Sequence, residues 1–131
     1  MDMNDLAIRG TQSTPSIDGN WKTGVLAMQG DSYPENSYEL FDPLFDWVKR
    51  YLAQQEKPLH LELSLLYLNT SSVKAMMDIF DLLERAHRSD RGVRVNWYYD
   101  RGNERVAELA EEFREDCTFP FEIQIRDGQV V

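Results

Sequence analysis

The chain has one cysteine, Cys117, and two histidines, His60 and His87, among 131 residues. A single thiol excludes an internal disulfide and fits a reducing compartment. With no histidine near it in sequence, Cys117 reads as a buried, inert thiol. Neither histidine belongs to a cluster with metal-ligand spacing. His60 falls on the polar side of a strand. His87 falls in the last turn of a helix, where its charge suits the dipole. Both read as structural. There are seven glycines, and they form neither a P-loop nor a G-x-G-x-x-G turn. No apolar run approaches the length of a bilayer. The N-terminus carries Asp2 and Asp5, which no signal peptide would. Basic residues are in the minority, 14 against 23 acidic, for a net charge of -9. That balance excludes the basic patch of a nucleic-acid binder and docking on an anionic membrane. The absences describe a cytoplasmic protein with no cofactor and no metal centre.

What remains is enough to fold. Hydrophobic residues make up 42% of the chain and aromatics 11%, and its length suits one domain over residues 1–131. Residues 1–12 read as a flexible lead-in, although Leu6 to Arg9 has strand character. A second short strand is expected from Thr14 to Asp18, with Pro15 at its start, which suits a sheet edge. Gly24 to Gly30 reads as a third. A helix follows to about Gln54, with Leu40, Leu44, Val48, Tyr51 and Leu52 at helical spacing. Pro43 lies inside it and predicts a kink or a short break. Leu59 to Leu68 is the clearest strand. Leu59, Leu61, Leu63 and Leu65 alternate with polar residues before the run becomes continuously apolar. Helices over Ser71–Arg88 and Asn103–Asp116 alternate with strands over Val93–Tyr99 and Phe119–Ile125. Alternation of this kind predicts an α/β fold, a mixed, mostly parallel sheet with helices packed against it. The N-terminal strands pair antiparallel at one edge.

The clearest strand runs straight into Asn69-Thr70-Ser71-Ser72, and a helix begins at once. Either Thr70 or Ser71 is expected to cap that helix, a role worth about 1 kcal/mol. Three adjacent hydroxyls exceed what one cap needs. A phosphate here would gain roughly 0.3–2 kcal/mol from the helix terminus, so modification would not melt the helix. Lys74, one turn on, is placed to reach a phosphate on Thr70. No arginine cluster lies nearby in sequence to capture the phosphate. About two negative charges would then be displayed to a partner.

The helix after this motif has an apolar arc of roughly 220°, wider than one side of a sheet usually needs. The edge carrying Met76 or Met77 is the candidate docking surface, since methionine adapts to varied partners. Acidic residues from Glu104 to Asp116 are interspersed with arginines and read as a solvated helix face. The Tyr33–Tyr38 loop offers a rival, a small enzyme or ligand site with Glu35 as acid or base. No second catalytic group accompanies Glu35 in sequence. The plainer role for the loop is a helix start capped by Asn36 or Ser37.

The runs Asp31–Leu40, Leu66–Ser72 and Arg105–Ala110 resemble the SiaC family of bacterial regulatory phosphoproteins. The resemblance spans about Gly10 to Ile125. It implies a non-catalytic, cytoplasmic regulator of biofilm formation and aggregation. It also implies that the unphosphorylated protein binds and activates a diguanylate cyclase of the SiaD type, raising cyclic-di-GMP. A cognate Ser/Thr kinase, SiaB-like, would phosphorylate Thr70, with Ser71 and Ser72 as alternatives. A PP2C-type phosphatase, SiaA-like, would reverse it. Asn69, Lys74, Met76, Met77, Tyr33, Glu35 and Asn36 are the expected partner contacts. The strand–hydroxyl–helix layout is also similar to the STAS class of anti-sigma-factor antagonists, which share the partner-switching logic with another target.

Overall fold

A computed structural model describes residues 3–126. The elements run β1 (Leu6–Ile8), β2 (Ser16–Asn20), β3 (Val25–Ser32), α1 (Ser37–Gln54), β4 (Leu59–Leu68), α2 (Thr70–Arg88), β5 (Val93–Tyr99), α3 (Glu104–Glu115) and β6 (Phe121–Ile125). The strands form one sheet in chain order. β1, β2 and β3 pair antiparallel, and β3 through β6 pair parallel. The expected mixed, mostly parallel α/β sheet is therefore the fold.

Three consecutive crossovers each step to the next strand in the same direction. Right-handed connections then place α1, α2 and α3 on a single face of the sheet. The burial pattern agrees. Leu59, Leu61, Leu63 and Leu65 are fully buried on the helix side, while His60, Glu62 and Ser64 between them stay half-buried on the other. The uncovered face is polar and internally bonded. Glu62 accepts hydrogen bonds from Asn96 (2.7 Å) and from the Tyr98 hydroxyl (2.9 Å). Arg126 lies over the Tyr98 ring and donates to Ser64. Burial, together with the Glu62 carboxylate, raises the Tyr98 hydroxyl above its usual range.

Aromatic rings fill both ends of the covered face. Trp47 stacks on Tyr51, and Trp21 meets both edge-on. Phe80, Phe113, Trp97 and Phe121 form the second cluster. Gly24 turns β2 into β3 with φ +76°, and a Cβ there would strike the Tyr51 hydroxyl and the Pro58 carbonyl. Only glycine satisfies both demands.

Leu6–Ile8 is paired to β2, in keeping with its strand character; residues 1 and 2 lie outside the described residues. Two expectations are corrected. β2 is not an edge, because β1 flanks it, and Pro15 precedes the strand and withholds no ladder donor. α1 runs unbroken through Pro43, so the alternative of a short break does not occur. The proline removes one hydrogen bond, to the Glu39 carbonyl, and both residues sit on the exposed side, where solvent satisfies the freed group.

Candidate functional site

The hydroxyl motif sits where β4 hands over to α2, beside the end of β3. The cap of α2 is Asn69, not Thr70 or Ser71: its Oδ1 accepts from the Ser72 N–H at 3.0 Å. The Ser71 hydroxyl donates to the same oxygen at 3.1 Å. Ser72 points inward, and its Oγ lies 2.7 Å from the Ser32 Oγ at the end of β3. The Asn69 N–H donates to the Ser32 carbonyl. Two of the three hydroxyls are thus engaged. Thr70 is exposed, and its hydroxyl has no hydrogen-bond partner among the described residues. Lys74 is exposed one turn on and faces Asp78 at 3.8 Å.

Beside Thr70 lies an exposed apolar patch. At Gly30/Asp31 the β3–β4 register slips by one residue, so that Gly30 faces Leu65 and Asp31 faces Tyr67. Leu66 is the extra residue of a bulge. Bulges re-aim side chains, and here Leu66 and Tyr67 both emerge into solvent. The Asn103 side chain, which caps α3, donates to the Leu66 carbonyl. Tyr67 meets Tyr33 edge-on at 6.0 Å. Leu66, Tyr67, Val73, Asn103, Arg105 and Leu109 line a groove of about 340 Å³ between the start of α2 and α3.

Of the two candidate methionines, only Met77 belongs to the surface, at 49% exposure. Met76 is 0% exposed, so its expected partner contact is corrected: 100° of helix rotation turns it into the core. Tyr33, Glu35 and Asn36 are exposed, and Asn36 caps α1, accepting from the Tyr38 and Glu39 N–H groups. The same loop borders a broad groove of about 690 Å³. Among the described residues that line it, Glu35 and Glu39 are the carboxylates, and there is no histidine, cysteine or cation.

Leu66 and Tyr67 were missed as surface residues. Their signal was the break in alternation at Leu65-Leu66-Tyr67-Leu68, which is where the register slips.

The other end of α2 is built differently. The Glu84 carboxylate accepts from the Thr118 N–H (2.7 Å), the Thr118 hydroxyl (2.6 Å) and Arg88 Nε (2.9 Å). The Thr118 hydroxyl and N–H, with Arg88, hold its carboxyl at about 2. Cys117 next to it is half-buried. Desolvation, reinforced by the Glu84 carboxylate, pushes its thiol up to about 11. Among the described residues no three His, Cys, Asp or Glu side chains converge on a metal-sized site, and no helix is long and apolar enough to cross a membrane.

With this geometry in place, comparison decides the family. Residues 8–126 match the SiaC family regulatory phosphoproteins. The chain belongs to the SiaC family. A Pseudomonas aeruginosa relative is 69% identical over 125 residues, covering 95% of this chain and 99% of the relative. The crystal structure of apo-SiaC from that organism is 68% identical, with a TM-score of 0.89, over 93% of this chain and 99% of that one. SiaC is also solved as the activator in complex with the diguanylate cyclase SiaD. This chain is similar to it at 69% identity and a TM-score of 0.91, over 93% of this chain and all of that one. The SiaC-like fold thus extends across nearly every described residue.

Proposed function

We propose that this protein is a non-catalytic, cytoplasmic activator of a diguanylate cyclase, switched off by phosphorylation of Thr70. One observation carries the choice of residue: of the three hydroxyls, only Thr70 is exposed and unbonded. The solved SiaC–SiaD complex supports the choice of partner. In its unmodified form the protein docks on a SiaD-like cyclase through the patch of Tyr33, Leu66, Tyr67 and Met77. Cyclic-di-GMP rises, and biofilm formation and aggregation follow.

An ATP-dependent kinase of the SiaB type resets the switch. The Thr70 Oγ1 attacks the γ-phosphorus, ADP leaves, and the hydroxyl proton passes to a base of the kinase. A PP2C-type phosphatase of the SiaA type hydrolyses the ester to threonine and inorganic phosphate. Two magnitudes decide the outcome. The helix terminus favours the phosphate by roughly 0.3–2 kcal/mol, so the fold tolerates it. Burying a dianion unpaired beneath a partner costs several kcal/mol, so the complex does not.

The test is cyclic-di-GMP synthesis by purified SiaD-type cyclase with the protein unmodified or phosphorylated, the site mapped by mass spectrometry. Stimulation by the unmodified form alone, with phosphate on Thr70, is the expected result. Phosphate on another residue, or stimulation by both forms, contradicts the proposal. An inert cyclase with capture of an anti-sigma kinase instead would move the target to the STAS-type alternative.

A further inference from the structure

The Ser32–Ser72 pair is unusual in its setting. Both side chains are buried, at 1% and 0% exposure, within the apolar layer between β3 and α2. Two hydroxyls bonded to each other at 2.7 Å satisfy one another but gain little over two methyl groups, which would need no partner. Stability alone therefore does not account for them. Their place does. Ser32 also accepts the Asn69 N–H through its carbonyl, and Asn69 caps the helix that begins with Thr70. The next residue along, Tyr33, donates its N–H to the Ser13 carbonyl and sets its ring against Tyr67. One pair of buried hydroxyls thus joins the first turn of α2 to the strand end that carries half of the aromatic patch.

Thr70 cannot be offered as an extended peptide. It occupies the first helical position, its neighbours on both sides are hydrogen-bonded, and the turn is bolted to β3. A kinase must accept the hydroxyl in the orientation the fold imposes. We propose that Ser32 and Ser72 are positioning residues for phosphorylation. Their hydroxyl pair fixes Thr70 in register with the Tyr33–Tyr67 surface, so that the kinase reads acceptor and aromatic pair as one rigid unit. This rests on Thr70 being the acceptor, as proposed above.

The test uses the intact protein with the SiaB-type kinase and ATP, on Ser32→Ala, Ser72→Ala and the double variant. Each single variant strands one buried hydroxyl and lowers the Tm. The double variant removes both partners and recovers most of that loss. Positioning predicts that all three lose roughly tenfold in kcat, because a small misplacement of the attacking atom is costly. KM stays unchanged, because the docking surface is intact. The decisive variant is the double, which regains Tm but not kcat. Rates that track Tm across the three, or rates equal to the parent, overturn the proposal. Phosphate mapped away from Thr70 in the parent protein overturns the acceptor assignment and the positioning role together; parent phosphorylation on Thr70 with unaffected variants overturns positioning alone.

Discussion

The two ends of α2 solve opposite problems with similar residues. At the N-terminal end, Asn69 caps the helix and takes the Ser71 hydroxyl, Ser72 bonds to Ser32, and Thr70 is left exposed. At the C-terminal end, Glu84 spends its carboxylate on Thr118 and Arg88, with nothing left over for chemistry. The first end leaves a hydroxyl free, as the proposed modification requires; the second holds α2 to the segment between α3 and β6. A hydroxyl is informative about function when its neighbours have already done the structural work.

The largest effect expected from breaking this contrast is at Thr70. Thr70→Ala abolishes phosphorylation, measured by intact mass, while stimulation of the cyclase persists and no longer responds to kinase. Thr70→Asp binds the cyclase poorly, though a single carboxylate imitates a phosphate imperfectly.

Next comes the clamp. Glu84→Gln weakens charge-assisted hydrogen bonds worth about 1.5–3 kcal/mol each, so thermal unfolding should reveal a clear loss without any change in phosphorylation at permissive temperature. The clamp also carries a pH signature. Glu84 is held at about 2 in the folded protein against an ordinary value of 4.5. Its contribution is therefore complete above 4.5 and declines as pH falls toward 2. Denaturant titrations across that window should be flatter for Glu84→Gln than for the parent.

A smaller effect, confined to binding, is expected on the aromatic patch. Tyr67→Ala and Met77→Ser remove exposed side chains, so stability should move by no more than about 0.5 kcal/mol. Cyclase stimulation should fall in both. Smallest of all is Cys117. Its thiol at about 11 is almost wholly protonated at neutral pH, so thiol-alkylating reagents should label it slowly and leave cyclase stimulation unchanged.

Much of this contrast was legible in the sequence, and its limits have physical causes. β4 was readable to the residue, because Leu59, Leu61, Leu63 and Leu65 alternate with polar partners on a one-sided sheet. The start of α2 was readable from the strand–hydroxyl junction. Its cap was not. Asn69, Thr70 and Ser71 can all cap a helix, and the choice is made by a contact forty residues away, where Ser32 takes Ser72. Met76 and Met77 looked equivalent on a wide apolar arc. Only the placement of α2 between the sheet and α1 and α3 buries one and exposes the other. Pro43 predicted a kink or a short break, and the packing of Leu40, Leu44 and Val48 keeps the helix unbroken. Family membership was legible from the motifs themselves.

The most direct measurement is calorimetric binding of the SiaD-type cyclase to the protein before and after stoichiometric phosphorylation of Thr70. Tight binding by the unmodified protein, lost when the phosphate is added and restored by a PP2C-type phosphatase, is the predicted result. Equal affinity of the two forms would contradict the switch.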